Sequence, residues 1–169
     1  LAYAPAASTV ALSLDVSEDS VTVTVKDQGP GVAPERHDSI FEGEGIITGK
    51  DGELHLNMED GGFIAVRPNT RMSIATYRAE GDSEDKGIFS LLQGTFRSVT
   101  GWIGKYNPRS YQVRTPTATI GVRGTDHEPL VIPQGSTEGE PGSYDKVNVG
   151  GSYIQTRHGS IDVKPNQAG

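Results

Sequence analysis

Thr9-Val10-Ala11-Leu12-Ser13-Leu14-Asp15-Val16 places its larger apolar residues at 10, 12, 14 and 16, every second position. Val21-Thr22-Val23-Thr24-Val25 repeats the pattern at 21, 23 and 25. Period two is the mark of a strand with one face buried and one wet. Ser17-Glu18-Asp19-Ser20 is a polar joint between the two segments, so the pair reads as a hairpin. Working outward, Glu53-Leu54-His55-Leu56-Asn57-Met58 alternates again, and Asp60-Gly61-Gly62 turns the chain into Phe63-Ile64-Ala65-Val66. Further strands are predicted over 72–78, 88–92, 95–99, 111–114, 117–122, 145–149, 152–156 and 160–163. Helix signals are scarce. Residues 97–106 read as a short helix or a loop, weakened by Gly101 and Gly104. Segments 80–87 and 133–143 read as surface loops.

The expected fold is therefore all-β, with many short strands in an irregular β-solenoid or a sandwich. The 169 residues carry 22 Gly and 10 Pro, which fits frequent turns. One domain is expected, over 18–169, preceded by residues 1–17 as an arm and strand available for exchange. No run of about 18 apolar residues occurs, so no membrane span is expected. The start, Leu1-Ala2-Tyr3-Ala4-Pro5, has no basic segment followed by an apolar one, so no signal peptide is read there.

Charge and chemistry exclude more than they suggest. The net charge of −7 argues against a nucleic-acid partner. It divides unevenly: 87–125 contains no Asp or Glu and is +5, leaving −12 elsewhere. Such a division can draw copies of one chain together, or be spent on ion pairs inside the fold. There is no cysteine, which removes disulfides, thiolate metal sites and cysteine nucleophiles and is compatible with an oxidising compartment. The histidines, at 37, 55, 127 and 158, lack the spacing of a helical zinc motif. Asp126-His127-Glu128 gathers three possible ligands, but neighbours on a strand point to opposite faces, so at most two can converge. No nucleophile elbow, phosphate loop or calcium loop is present. Neither an enzyme nor a cofactor site is expected.

Several stretches carry a resemblance. They are Asp38-Ser39-Ile40-Phe41-Glu42-Gly43, then 47–54 from Ile47-Thr48-Gly49 to Gly52-Glu53-Leu54, and 58–70 from Met58-Glu59-Asp60 to Pro68-Asn69-Thr70. The most specific is Tyr111-Gln112-Val113-Arg114-Thr115-Pro116-Thr117-Ala118-Thr119-Ile120-Gly121-Val122-Arg123-Gly124-Thr125-Asp126-His127-Glu128. Residues 43–128 resemble the FecR domain family, and 144–163 look like the strand-rich tail of such proteins. The resemblance implies an extracytoplasmic, β-rich module without catalysis. The best known relatives relay a receptor's signal to a sigma factor across the inner membrane. They carry a cytoplasmic helical segment and a membrane helix ahead of this domain. The 169 residues contain neither, which weighs against a relay by this chain alone.

Read residue by residue, Arg114, Thr115, Pro116, Gly121, Arg123, Gly124 and Asp126 are expected to hold the fold. Pro116 marks an edge or bend, Gly121 and Gly124 permit positive φ or close approach, and Arg114, Arg123 and Asp126 offer a charge-assisted pair across strands. Ligand contact through the arginines is the functional alternative. Asp27-Gln28-Gly29-Pro30-Gly31-Val32 with Ile40-Phe41-Glu42 resembles the nucleotide lid of sensor histidine kinases, but reads more simply as a loop. Trp102, between glycine-flanked turns, is a core aromatic or an interface anchor.

Two functions follow as expectations. The first is a structural scaffold outside the cytoplasm, binding copies of itself and assembling into fibres by strand addition through Val10, Leu12, Leu14 and Val16. The competing reading pairs that strand at home with 21–25. The second function is a periplasmic FecR-type sensing module with an envelope or receptor protein as partner.

Overall fold

The computed structural model describes residues 40–169, together with the backbone of 11–17 and 20–26. The strands are β1 (Ala11–Ser17), β2 (Ser20–Lys26), β3 (Gly45–Ile47), β4 (Leu54–Asn57), β5 (Phe63–Val66), β6 (Arg71–Arg78) and β7 (Lys86–Val99). A single turn of helix, α1 (Trp102–Tyr106), leads to β8 (Tyr111–Arg114), β9 (Thr119–Val122), β10 (Asp126–Ile132), β11 (Gly142–Val149), β12 (Ser152–Thr156), β13 (Gly159–Val163) and β14 (Gln167–Ala168). The protein is all-β, and its strands join one nearly closed, barrel-like sheet.

That sheet has two leaves. The larger runs β1-β2-β3-β6-β7-β8-β9-β12-β13; the smaller pairs β4 with β5, β5 with β7, β7 with β10, β10 with β11, and β11 with β14. β1 pairs antiparallel with β2 of the same chain, from Ala11 opposite Lys26 to Ser17 opposite Ser20. Leu12, Leu14 and Val16 fall in this strand; Val10 lies outside the described residues, as does the Asp27–Val32 segment.

β7 belongs to both leaves, and its pattern explains how. Gly87, Phe89 and Leu91 are buried in its first half, Phe96 and Ser98 in its second. The inward positions change from odd to even between them. An irregularity in the pairing with β6 and a left-handed Gly94 (φ +81°) supply the extra residue that shifts the parity. A Cβ at Gly94 would stand 2.7 Å from the Thr70 Cα, so a glycine is needed for space as well as for φ. This is why 88–92 and 95–99 form one continuous strand instead of two. The strand also ends at Val99, so only 102–106 of the segment 97–106 is helical.

β10 has no counterpart among the predicted strands. Its inward positions are His127, Pro129 and Val131, and two of those are not strand formers. Pro129 has no N–H to give to β7, and the pairing with β7 skips Glu128 and Pro129. The Thr95 hydroxyl fills the gap by donating to the Pro129 carbonyl at 2.7 Å. Inward side chains of both leaves meet in one core, with Phe89, Leu91, Val113, Ile120 and Val122 from the larger and Ile64, Val66, Phe96 and Val147 from the smaller all essentially unexposed.

Candidate functional surface

The stretch from Tyr111 to Glu128 crosses from one leaf to the other, and its residues hold that crossing. Thr115 and Ala118 close a tight turn after β8: the Thr115 N–H and hydroxyl both donate to the Ala118 carbonyl at 2.9 Å, and the Ala118 N–H donates back to the hydroxyl. Pro116 occupies the second position of that turn, where its fixed φ fits. Gly121 lies beneath the Tyr153 ring, which an added Cβ would meet at 2.2 Å. Gly124 adopts φ +59° at the corner itself and donates to the Gly104 carbonyl. Thr125 then pairs with Thr100, and β10 begins in the smaller leaf.

Asp126 is gripped by Arg97, with Nε at 2.9 Å from Oδ1 and the second nitrogen at 2.7 Å from Oδ2. The planar guanidinium matches the carboxylate edge to edge. Arg114 and Arg123 are not brought to Asp126. Arg123 faces Asp162 at 3.4 Å in an exposed pair, which contributes little. Among the described residues Arg114 reaches only the Gln112 side-chain oxygen, at 3.5 Å. Trp102 is half-buried, packs against the core and donates its indole N–H to Asp85 at 3.0 Å.

Asp126-His127-Glu128 separates by face. Asp126 and Glu128 point outward and share the Asn148 amide. His127 points inward, unexposed, with Nδ1 2.9 Å from Asp145, whose other oxygen accepts from the Ser152 hydroxyl. A carboxylate only accepts, so His127 carries its proton on Nδ1. Its Nε2 has no partner among the described residues. His55 sits exposed on β4, edge-on to Phe63, and His158 lies in the exposed β12–β13 turn. No group of three metal-ligating side chains occurs among the described residues.

An enclosed pocket under Met58, Tyr77 and Tyr111 holds about 10 Å³, scarcely one water. Contact chemistry is therefore read from the two outer faces. On the smaller leaf the register places Phe63, Val99, Asp126 and Val149 in one row across β5, β7, β10 and β11. Val149 is 61% exposed and Val99 37%. Arg97, Glu128 and Lys146 lie in the next row. Apolar groups beside a neutralised ion pair suit a protein partner. The outer face of the larger leaf is mostly polar and carries Arg114 and Arg123, with Leu92 half exposed near its edge with the smaller leaf.

Besides the exposed Asp82, which Arg78 lowers to about 2, two less exposed carboxylates are held in their charged form. Arg97 keeps Asp126 below its ordinary value of 3.8, against the opposing effect of burial. Burial pushes Asp85 up, but Trp102 and the backbone N–H groups of Glu80 and Gly81 outweigh it and lower the net value. Stability from both is present above the unfolded pKa and is lost as pH falls through the lower folded values. Thermal melts are expected to fall steeply below about pH 4, and more shallowly for Asp126→Asn. A melting temperature level down to about pH 2 contradicts this assignment.

Arg97, Asp145, Ser152 and Val149 were not legible as site residues. Ser98, Asp145 and Ser152 sit at alternating positions where an apolar residue would be expected; that break in the pattern was the available signal.

Residues 44–138 match the family model described as FecR protein. Among solved structures, two crystal structures of a candidate anti-sigma factor from Parabacteroides distasonis ATCC 8503 are similar in fold, with TM-scores of 0.57 and 0.56 at 16% identity. Each match covers 73% of this chain and 52% of the solved one, so the chain spans about half the length of those proteins. No curated protein matches the chain.

Proposed function

The chain belongs to the FecR family, and from that premise we propose that it is a non-catalytic periplasmic sensing module, passing the state of an envelope receptor towards a sigma factor through protein contacts. The observation that carries this is the family match over 44–138, which takes in the segment from β3 to the loop after β10. The solved anti-sigma candidates with the same fold support it. They favour it over the expected scaffold that polymerises by strand addition, for which neither comparison offers an argument.

The partner-binding face in this reading is the outer side of the smaller leaf, where Phe63, Val99 and Val149 surround the Arg97–Asp126 pair. Arg and aromatic side chains among apolar neighbours are the groups that dominate protein interfaces. Trp102 serves in this reading as a support for Asp85. A photo-crosslinking residue at 149, with the protein expressed in its source cell, tests the proposal. One specific envelope-protein adduct, together with loss of the sigma-dependent transcriptional response in Val149→Asp, is the expected result. A response that survives deletion of the whole protein defeats it.

A further inference from the structure

The outer face of the larger leaf has a different chemistry from the partner face and needs its own explanation. Register across six strands aligns Ser73, Ser90, Arg114, Thr119, Gln155 and Ser160 in one row. Every side chain in that row can hydrogen-bond, and none is a carboxylate. In the adjacent row Gln112, Gly121 and Tyr153 lie side by side. The half-exposed Tyr153 ring crosses directly over Gly121, and the Arg123 guanidinium stands 5.9 Å from its centre.

The polar row runs into a shallow, open patch lined by Thr115, Thr117, Ala118, Thr119, Gln155, Thr156 and Arg157. Arg157 is exposed, and its described partner is the neighbouring His158 ring, not an acid. Arg114 also meets no carboxylate among the described residues. Among the described residues, in a chain of net charge −7, this part of the face carries the exposed Arg114 and Arg157, with Arg123 paired to Asp162. Acids more than about 8 Å away are largely screened at physiological salt.

We infer that this face binds an acidic, uronate-bearing polysaccharide, laid across the strands with its carboxylates at Arg114 and Arg157 and a sugar ring against Tyr153. Hydroxyls and amides in a row are matched by a ligand that is itself dense in hydroxyls, and poorly matched by apolar side chains. Guanidiniums fit carboxylates bidentately. Single-stranded nucleic acid fits less well, because it uses a series of stacking aromatics and a broad basic groove. The inference is independent of the partner-binding reading, since its residues lie on the opposite leaf.

Affinity electrophoresis of the full chain in gels containing polygalacturonate or alginate tests it, with dextran, double-stranded DNA and polyglutamate as comparison gels. Retardation by a uronate polymer is expected, weakened about tenfold or more by Arg114→Gln with Arg157→Gln, and weakened by Tyr153→Ala. Lys146→Gln, on the other leaf, is expected to bind as the parent does. Thermal melts identify any variant that has lost its fold. No retardation by either uronate polymer, equal retardation by DNA or polyglutamate, or retardation indifferent to the arginine pair each overturns the inference.

Discussion

Asp145→Ala is expected to lower the unfolding free energy by about 3–5 kcal/mol, a large effect for a single polar substitution. The carboxylate is 1% exposed and serves two buried donors, His127 Nδ1 and the Ser152 hydroxyl. Removing it strands both in a core where water cannot replace it, and each orphaned group costs about 1–3 kcal/mol. The three residues also join β10, β11 and β12, so the loss falls where the smaller leaf meets the larger. Asp145→Asn keeps an acceptor for His127 and a polar group for Ser152, and its loss should be clearly smaller. Urea unfolding of the three proteins measures the difference. A loss in Asp145→Ala below about 1 kcal/mol shows that the cluster is not the buried support described here.

Phe89→Ala is expected to cost about 3–5 kcal/mol, a fifth or more of the stability of an ordinary domain. The ring has no exposure and lies at the centre of the larger leaf, 5.4 Å from the Tyr111 ring and 6.4 Å from that of Tyr77. Close-packed interiors collapse only partly around a deleted ring, so the cavity adds to the lost transfer energy. Around Phe89 β7 is paired on both sides, with β6 through Ile74 and with β8 through Val113, which leaves its backbone little freedom to move in. A lower denaturation midpoint with unchanged slope is the expected signature. A shift equivalent to less than about 1 kcal/mol would mean that the site is less tightly packed than its burial indicates.

The two predictions act on different parts of the sequence pattern. Phe89 falls in the predicted strand 88–92, but Ile88-Phe89 and Leu91-Leu92 are apolar pairs, so the strand was legible and its buried face was not. His127 and Asp145 broke the alternation. A buried polar residue is tolerated when its partner is placed opposite, and that partner lies 18 positions away. The same distance in sequence hid the Arg97–Asp126 pair, whose members are 29 apart. The charge asymmetry over 87–125 was legible, but its use was not. Arg97 is consumed inside the smaller leaf, while Arg114 stays exposed on the larger.

What the sequence by itself determined is the strand-rich class, the bend at Pro116, the glycines of the corner and the family pattern, because each rests on residues within a few positions of one another. Only the tertiary structure decided that 86–99 is one strand shared by two leaves, that His127 and Pro129 belong to a buried strand, and which outer face is apolar and which is polar. Those outcomes depend on pairings between distant segments. Local preference cannot specify a partner across the sheet; backbone hydrogen bonding and close packing do.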